Sequence, residues 1–520
     1  MPLSPVRLRL LVAALLTVSF LGALDHTVVS TSLATIAGEL GALEHMSWVV
    51  VGYTLASTVL MPVIGRLGDR LGPRAVFRVA LLAFLVASLA CGFATDLTQL
   101  VIARVVQGMS SAGLQLMSQT ILARVTTPRQ RPRYLAVVGA AFPIAILVGP
   151  VLGGAITDYW GWPWVFWINL PVGSIAFLLA LVAIPHVEPV GRRPLDLGGA
   201  VSFTLAMTAL VLGVTWITDP AQRVAALVTF ALSAPAFVAF FAIELRRPEP
   251  IVPLRLFANR TIAAGMALSA IIGIGLFAVT AYLPTYFQMA YRTTATVSGL
   301  VPIATVFGML VSNLLTGWLA SRTGRYRVFP IAGTALAAAG LLVMSQLPVG
   351  LPLAVPMVVM GLVGVGTGAF QTLVVAVVQS AAPARETGSV TATINLVRQV
   401  GATVGTAIIG GMIGIGVAAL LPGGLDASTL TPALVHASDP ELQTRVAAIY
   451  REVFAPVYGS LAGVYALGVV VAVLLPAGRL SDEAPHDPST DPATASVEPL
   501  SADLTPADPA TADPALEERA

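Results

Sequence analysis

No lysine occurs anywhere in the 520 residues, and all 28 basic side chains are arginine. That absence excludes several kinds of chemistry. A phosphate-cradling GxxxxGK[ST] loop sets its lysine on the phosphates, so the chain carries no nucleotide site of that type. Pyridoxal phosphate and retinal are held as Schiff bases on lysine, and neither has an anchor here. The single cysteine, Cys91, can form no internal disulfide. His26, His45, His186, His436 and His486 fall at no HxxxH spacing and there is no CxxC pair, so neither a metal nor another cofactor is expected. Charged residues make up only 10% of the chain and the net charge is +2, which gives no sign of a nucleic-acid partner.

Long apolar runs fill the space that charge leaves. With 56% hydrophobic residues and a mean hydropathy of +0.86, the chain cannot be a soluble globule with a polar skin and reads as an all-α polytopic membrane protein. A sliding hydropathy window finds fourteen runs long enough for a hydrocarbon core of about 30 Å. They lie near residues 8–36, 46–66, 74–94, 98–124, 134–157, 163–184, 197–217, 223–243, 262–285, 297–320, 328–346, 353–379, 388–420 and 457–477. Residues 1–24 have the charge pattern of a signal peptide, with Arg7 and Arg9 before an apolar run, but the run continues past Asp25 and is read as the first span.

Placing the N-terminus in the cytoplasm sends most arginines inside and leaves only Arg223, Arg292, Arg445 and Arg451 outside, with Arg104 and Arg398 within helices. This asymmetry fits the positive-inside rule for an even span count, with both termini on the cytoplasmic face of a cell membrane. Trp48, Trp160, Trp162, Trp164, Trp167 and Trp216 then fall at the outer interface, where an amphipathic ring is favoured among the lipids. Residues 421–456, with Leu442, Val446, Ile449 and Val453 at helical spacing, are expected as an external loop containing a short surface helix. Beyond Ser481 the composition is Pro, Ala, Asp and Thr, and residues 481–520 are expected as a disordered cytoplasmic tail.

An internal repeat organises the spans. Gly65-Arg-Leu-Gly-Asp-Arg-Leu-Gly-Pro-Arg74 follows span two, and Gly317-Trp-Leu-Ala-Ser-Arg-Thr-Gly-Arg-Tyr326 follows span ten, with Gly, Leu, Arg and Gly at shared offsets. The offset of eight spans implies two six-helix bundles, residues 1–190 and 261–480, separated by two inserted helices and a cytoplasmic linker in 191–260. Duplicated halves are the architecture of secondary transporters, whose substrate site lies between the halves near the bilayer midplane.

Asp25 is the residue that most needs explaining. An acid at membrane depth costs about 2.5 to 3.5 kcal/mol on insertion scales, so it is a functional candidate by default. At about 100° per residue, Ser32 shares its face. In span four, Gln107, Gly108, Ser111, Gln115, Ser118 and Gln119 fall within about 60° of Arg104, a polar face that favours a water-accessible cavity over simple helix glue. Asp25 and the Arg104 face are expected to look into that cavity and to exchange a proton with it. In span five, Gly139, Pro143, Pro150, Gly153 and Gly154 lie on one side with Gly149 a little off it. Such a helix can kink and rock against a neighbour, although plain close packing explains it equally. Arg398 with Thr391 and Asn395 in span thirteen either orders packing or lines the cavity of the second half. Tyr282 and Tyr286 are either substrate-facing or interfacial aromatics.

Here the chain resembles the major facilitator superfamily, and within it the 14-span drug:proton antiporters, from Leu8 to about Gly478. Residues 65–74 are similar to the GxLaDrxGrk motif, departing at Pro73. The resemblance implies a cytoplasmic gating loop built on Gly65, Asp69, Arg70, Gly72 and Arg74, with Asp69 and Arg70 in a charge relay. Ser321 stands at the Asp position of the second copy. Arg104-Val-Val-Gln107-Gly108 resembles RxxQG, whose arginine is implicated in proton coupling. Leu24 to Ile36 resembles LDxTVVNVALPxI, with Ser30 and Ala34 in place of Asn and Pro. Gly149-Pro150-Val-Leu-Gly153-Gly154 resembles the GPxxGG motif associated with exporters. The stretches around Asn169 and Arg398 resemble WxFxINxPxG and NxxRQxG.

The reading is a proton-driven efflux pump for lipophilic, cationic or neutral organic compounds, working by rocking of two halves and needing no ATP-binding subunit. One proton entering down about 100 mV and half a pH unit supplies ~3 kcal/mol, enough for a roughly hundredfold gradient of a neutral substrate. The expected surroundings are membrane lipids, and the expected state is a monomer. Rivals are an exporter dedicated to one metabolite or self-made antibiotic, an uptake symporter, and a non-transporting membrane sensor. No nucleophile and base pair suggests an enzyme.

Overall fold

A computed structural model describes residues 4–40, 46–185, 196–216, 222–247, 250–348, 350–421, 435 and 438–482. Among them, 14 helices are long and apolar enough to cross a membrane. The first six are α1 (Pro5–Glu39), α2 (Ser47–Leu71), α3 (Pro73–Gly92), α4 (Leu97–Val125), α5 in two pieces (Arg131–Gly139 and Ala141–Trp160) and α6 in two pieces (Pro163–Trp167 and Asn169–Ala183). The inserted pair is α7 (Leu197–Trp216) and α8 (Arg223–Arg246). The last six are α9 (Arg260–Ala290), α10 (Ala295–Thr323), α11 (Val328–Gln346), α12 in two pieces (Ala354–Gly368 and Gln371–Ala381), α13 (Thr387–Leu420) and α14 (Pro440–Leu474).

The interruptions have local causes. A proline has no N–H to give the carbonyl four residues earlier. Pro143 thereby strips Gly139 of its partner and Pro171 strips Trp167, and α5 and α6 break at those two points. Short polar side chains start other helices: Asp96 Oδ1 accepts from Gln99 N at 2.9 Å at the head of α4, and Asp439 Oδ1 from Leu442 N at 3.0 Å at the head of α14.

The last helix corrects one expectation. Residues 440–456, expected within an external loop, are continuous with the final span, because Val446, Ile449 and Val453 are buried along α14 rather than lying on a surface. Residues 422–434 and 436–437 of that loop, 186–195 of the linker and the tail beyond Asp482 lie outside the described residues.

The repeated glycines serve two separate purposes. Gly72 (φ 86°) and Gly324 (φ 70°) both end their helices at a positive φ that costs a Cβ-bearing residue energy, Gly324 in the left-handed helical conformation and Gly72 in a more extended one. Gly65 and Gly317 are not in a turn, because α2 and α10 continue past them. They lie where the halves cross: a Cβ on Gly65 would come within 2.6 Å of Ala392 Cβ in α13, and one on Gly317 within 2.4 Å of Ala136 Cβ in α5. Since α10 repeats α2 and α13 repeats α5, the crossings α2 with α13 and α10 with α5 are the same contact made twice.

The inserted helices pair with each other through Phe203 and Phe240, whose rings lie 5.2 Å apart. Val59 of α2 and Leu396 of α13 join the same apolar cluster, so the pair rests on one of the two seams between the halves.

Candidate functional site

Asp25 lies in α1 and is 1% exposed, and Arg104, which reaches it from α4, is fully buried. Arg104 Nη1 donates to Asp25 Oδ2 at 2.5 Å and to Gln107 Oε1 at 2.7 Å. Gln107 Nε2 and Asn169 Nδ2 donate to Asp25 Oδ1 at 2.8 and 3.0 Å. The same two amides reach Ser88 Oγ of α3 at 2.7 and 3.2 Å. Arg104 Nε gives a further bond to the Val49 carbonyl at 3.3 Å, and its guanidinium stands 4.2 Å from the centre of the Tyr53 ring. Five helices thus meet in one network around the carboxylate. A buried ion pair is tolerated only when its remaining lone pairs and protons find partners, and these contacts supply them.

Gly108 makes this closeness possible. Any Cβ there would lie 2.2 Å from the Tyr53 carbonyl oxygen, so α2 and α4 touch backbone to backbone where Arg104 and Tyr53 meet. Sequence periodicity aligned Arg104, Gln107 and Gly108, but Ser88, Tyr53 and Asn169 belong to other helices and enter through packing. Asn169 was marked in the sequence through its WxFxINxPxG stretch, without its partner.

The pair does not look into an open cavity, as had been expected. In this conformer it is sealed among α1, α2, α3, α4 and α6, while its neighbour His26 is exposed. Ser32 is also buried rather than cavity-facing, sharing a 2.6 Å hydrogen bond with Thr157 of α5. Ser118 is fully buried and donates to the Leu114 carbonyl of its own helix at 2.6 Å. Tyr286 sits in an aromatic cluster, with ring centres 4.9 Å from Phe454 and 5.4 Å from Tyr458, so it faces helix packing. Tyr282 is half-buried and donates to the Thr406 carbonyl at 3.0 Å.

Ser111 and Gln119 are half-buried and Gln115 is exposed. Gln119 Oε1 accepts from Asn395 Nδ2 of the second half at 2.8 Å, and Arg398 follows one turn along α13, partly exposed. These residues border the space between the halves.

That space is closed at the end bearing the arginine-rich loops. Asp69 Oδ1 accepts from Gly388 N at 3.0 Å, and its Oδ2 from Ser389 N at 2.9 Å and Ser389 Oγ at 2.8 Å. These N–H groups open α13 and have no partner within the helix, so a carboxylate suits them. The cation on Asp69 is Arg124, at 2.9 Å, and not the expected Arg70, which is half-buried beside it. Arg74 is likewise half-buried at the start of α3. Across the other seam Arg129 donates to the Ser321 and Arg322 carbonyls at 3.1 and 2.9 Å, and Asn313 Nδ2 to the Ala136 carbonyl at 3.2 Å. Ser321 thus contributes its backbone at the place where the first copy uses a carboxylate.

In α5 the expected single stripe divides in two. A Cβ on Gly149 would meet Thr27 Oγ1 at 2.1 Å, and one on Gly153 would meet Thr31 Oγ1 at 2.3 Å, so these two press on α1 beside Asp25. Pro150 is exposed, and a Cβ on Gly154 would meet nothing within 4 Å, so neither supports that contact. Gly139 meets the other half, where its Cβ would lie 2.6 Å from Thr372, and Pro143 is buried. Gly153→Ala is therefore expected to lower stability by about 1 to 3 kcal/mol through overpacking, while Gly154→Ala leaves it within about 0.5 kcal/mol. Thermal unfolding of the purified protein, followed side by side for the two variants, checks the contrast.

Residues 15–406 match the family model described as the Major Facilitator Superfamily. The chain belongs to that superfamily. An uncharacterized MFS-type transporter of Mycobacterium tuberculosis (strain ATCC 25618 / H37Rv), Rv1877, is 32% identical over 498 residues, covering 94% of this chain and 72% of its own length. The multidrug transporter protein MdtP of Bacillus subtilis (strain 168) is 30% identical over 409 residues, covering 78% of this chain and 75% of its own. The crystal structure of the human organic anion transporter MFSD10 (TETRAN) shares the fold with a TM-score of 0.61 at 15% identity, over 90% of this chain and 100% of that one. The protein is thus a multi-pass membrane transporter and not an enzyme.

Proposed function

We propose that this transporter exports lipophilic organic compounds in exchange for protons, with Asp25 as the proton-carrying group. The observation that carries the reading is the sealed Asp25 and Arg104 pair at membrane depth, 2.5 Å apart. In this conformer the carboxylate accepts hydrogen bonds from three side chains, Arg104, Gln107 and Asn169. A movement of α4 against α1 would lengthen the pair and open these contacts, and that is the step we assign to proton exchange at Asp25. The glycine contacts of α5 with α1, and of α5 and α2 with the second half, supply a path by which tilting of the halves reaches the pair.

The direction of export rests on the GPxxGG stretch of α5 and on the relatives' multidrug transporters. On the positive-inside reading of the arginines the closed end is the cytoplasmic one, and export releases substrate and takes up protons at the opposite end. A lipophilic dye added to inverted vesicles should accumulate when their interior is acidified, and an uncoupler should dissipate the gradient. Accumulation that ignores the uncoupler, or efflux from the same vesicles, contradicts the reading.

A further inference from the structure

Arg398 is a cation in the membrane interior that, among the described residues, has no carboxylate paired with it. It lies well inside α13, one turn beyond Asn395, whose amide crosses to Gln119 of the first half. Asn395 therefore marks the floor where the halves touch, and Arg398 stands immediately beyond it. Its side chain is partly exposed. Among the described residues its hydrogen-bond partner is Asn395 Oδ1, at 2.5 Å, which uses one of the five N–H donors of a guanidinium. On α4 of the first half Gln119 meets Asn395, and the exposed Gln115 and half-buried Ser111 follow at one-turn spacing along the same helix.

Among the described residues the buried acids Asp25, Asp69, Asp196, Glu244 and Glu386 are all held by other partners. From Arg260 to Ala381, through α9, α10, α11 and α12, the sequence contains no Asp or Glu, and α13 contains none. Asp25 is buried on Arg104, and Asp69 is buried on Arg124 and the head of α13. Glu386 is buried at the closed end, where Arg255 pairs with it. The space between the halves therefore carries positive charge, with neutral amides and a hydroxyl around it. An ion out of bulk water is costly until a counter-ion meets it, and intramembrane charges are ordinarily paired.

We propose that the counter-ion is the cargo: the transported compounds are amphipathic organic anions, a carboxylate or sulfonate on a lipophilic body, with Arg398 binding the anionic end. Gln115 and Gln119 offer further donors to the same group, and the apolar helix faces receive the body. The assignment rests on the exporter reading for its direction but not for its binding step.

Pyrenesulfonate and pyrenylmethyl-trimethylammonium share an aromatic body and carry permanent charges of opposite sign. Binding of each to the purified full chain in phosphatidylcholine vesicles, read by pyrene emission, tests the assignment. The anion should bind at least about tenfold more tightly than the cation, as one charge-assisted contact implies. Arg398→Gln should remove that preference while binding of neutral pyrenemethanol is kept, which shows the variant is folded, and Arg398→Lys should restore most of it. A tighter cation, binding of neither ion, or a preference unchanged in Arg398→Gln overturns the proposal. So does displacement of pyrenesulfonate by excess chloride or by added phosphatidylglycerol, which would make an inorganic ion or a lipid the occupant. Asp25→Asn should leave the preference in place, so full proton-driven transport in that variant would sink the exporter reading while the binding assignment stands.

Discussion

Asp69→Asn is expected to open the arginine-rich end. The carboxylate takes three hydrogen bonds from the first turn of α13, at 3.0, 2.9 and 2.8 Å, and pairs with Arg124 at 2.9 Å. Hydrogen bonds to a charged group are worth about 1.5 to 3 kcal/mol each. An asparagine keeps the shape but loses the charge, and its NH2 faces a donor. A loss of about 3 kcal/mol changes the ratio of open to closed conformers roughly a hundredfold. Arg124→Gln leaves the three α13 bonds intact and should have a smaller effect.

Spin labels at Leu71→Cys and Ala384→Cys read this distance, since both positions are exposed and the native Cys91 is buried. The parent should give one short distance, and Asp69→Asn should add a long one at the expense of the short. An unchanged distribution would mean that the seam is held by the glycine crossings alone.

The ordering of effects follows from features that were legible to different degrees. Fourteen spans and the doubled loop are visible in the sequence because hydropathy and repeated offsets need no tertiary information. Helical periodicity also brings Arg104, Gln107 and Gly108 to one side of α4. Periodicity gives a direction around one helix, however, and not what stands opposite. That is why Ser32, assigned by periodicity to the face of Asp25, meets Thr157 instead of a cavity. Tyr286 faces Phe454 and Tyr458 of α14 for the same reason, and Phe454 was expected in an external loop.

The partner of Asp69 was hidden for another cause. Gly388 N and Ser389 N are backbone donors, which no side-chain motif announces, and the sequence separates them from Asp69 by the whole length between α2 and α13. The glycines of the repeat were visible, but their division between turn and crossing was not. Gly72 and Gly324 are fixed by a positive φ, whereas Gly65 and Gly317 are fixed by a helix from the other half.

Asp25→Asn is expected to have the larger functional effect. The carboxylate is the buried group on which Arg104, Gln107 and Asn169 converge, and an amide of the same shape cannot carry a proton at any accessible pH. With the membrane potential clamped at zero, a gradient of about two pH units gives one proton ~2.7 kcal/mol, and so a roughly hundredfold gradient of substrate. The parent in liposomes should approach that ratio with pyrenesulfonate, and the variant should stop at equal concentrations while still exchanging labelled for unlabelled dye. Removing one member of a buried ion pair costs about 3 to 5 kcal/mol of stability, because the other is left unpaired. The double variant Asp25→Asn with Arg104→Gln removes both charges and keeps the volume, so it separates a coupling defect from a folding defect.

Proton release by the purified protein is the most direct test of Asp25 as the exchanging group. Pyrenesulfonate added to unbuffered detergent solution in the presence of a pH dye should release up to about one proton per molecule in the parent, because substrate and proton exchange on one group. The same addition to Asp25→Asn should give binding without any proton signal. A signal of undiminished size in Asp25→Asn would place the exchanged proton on another residue and contradict the account.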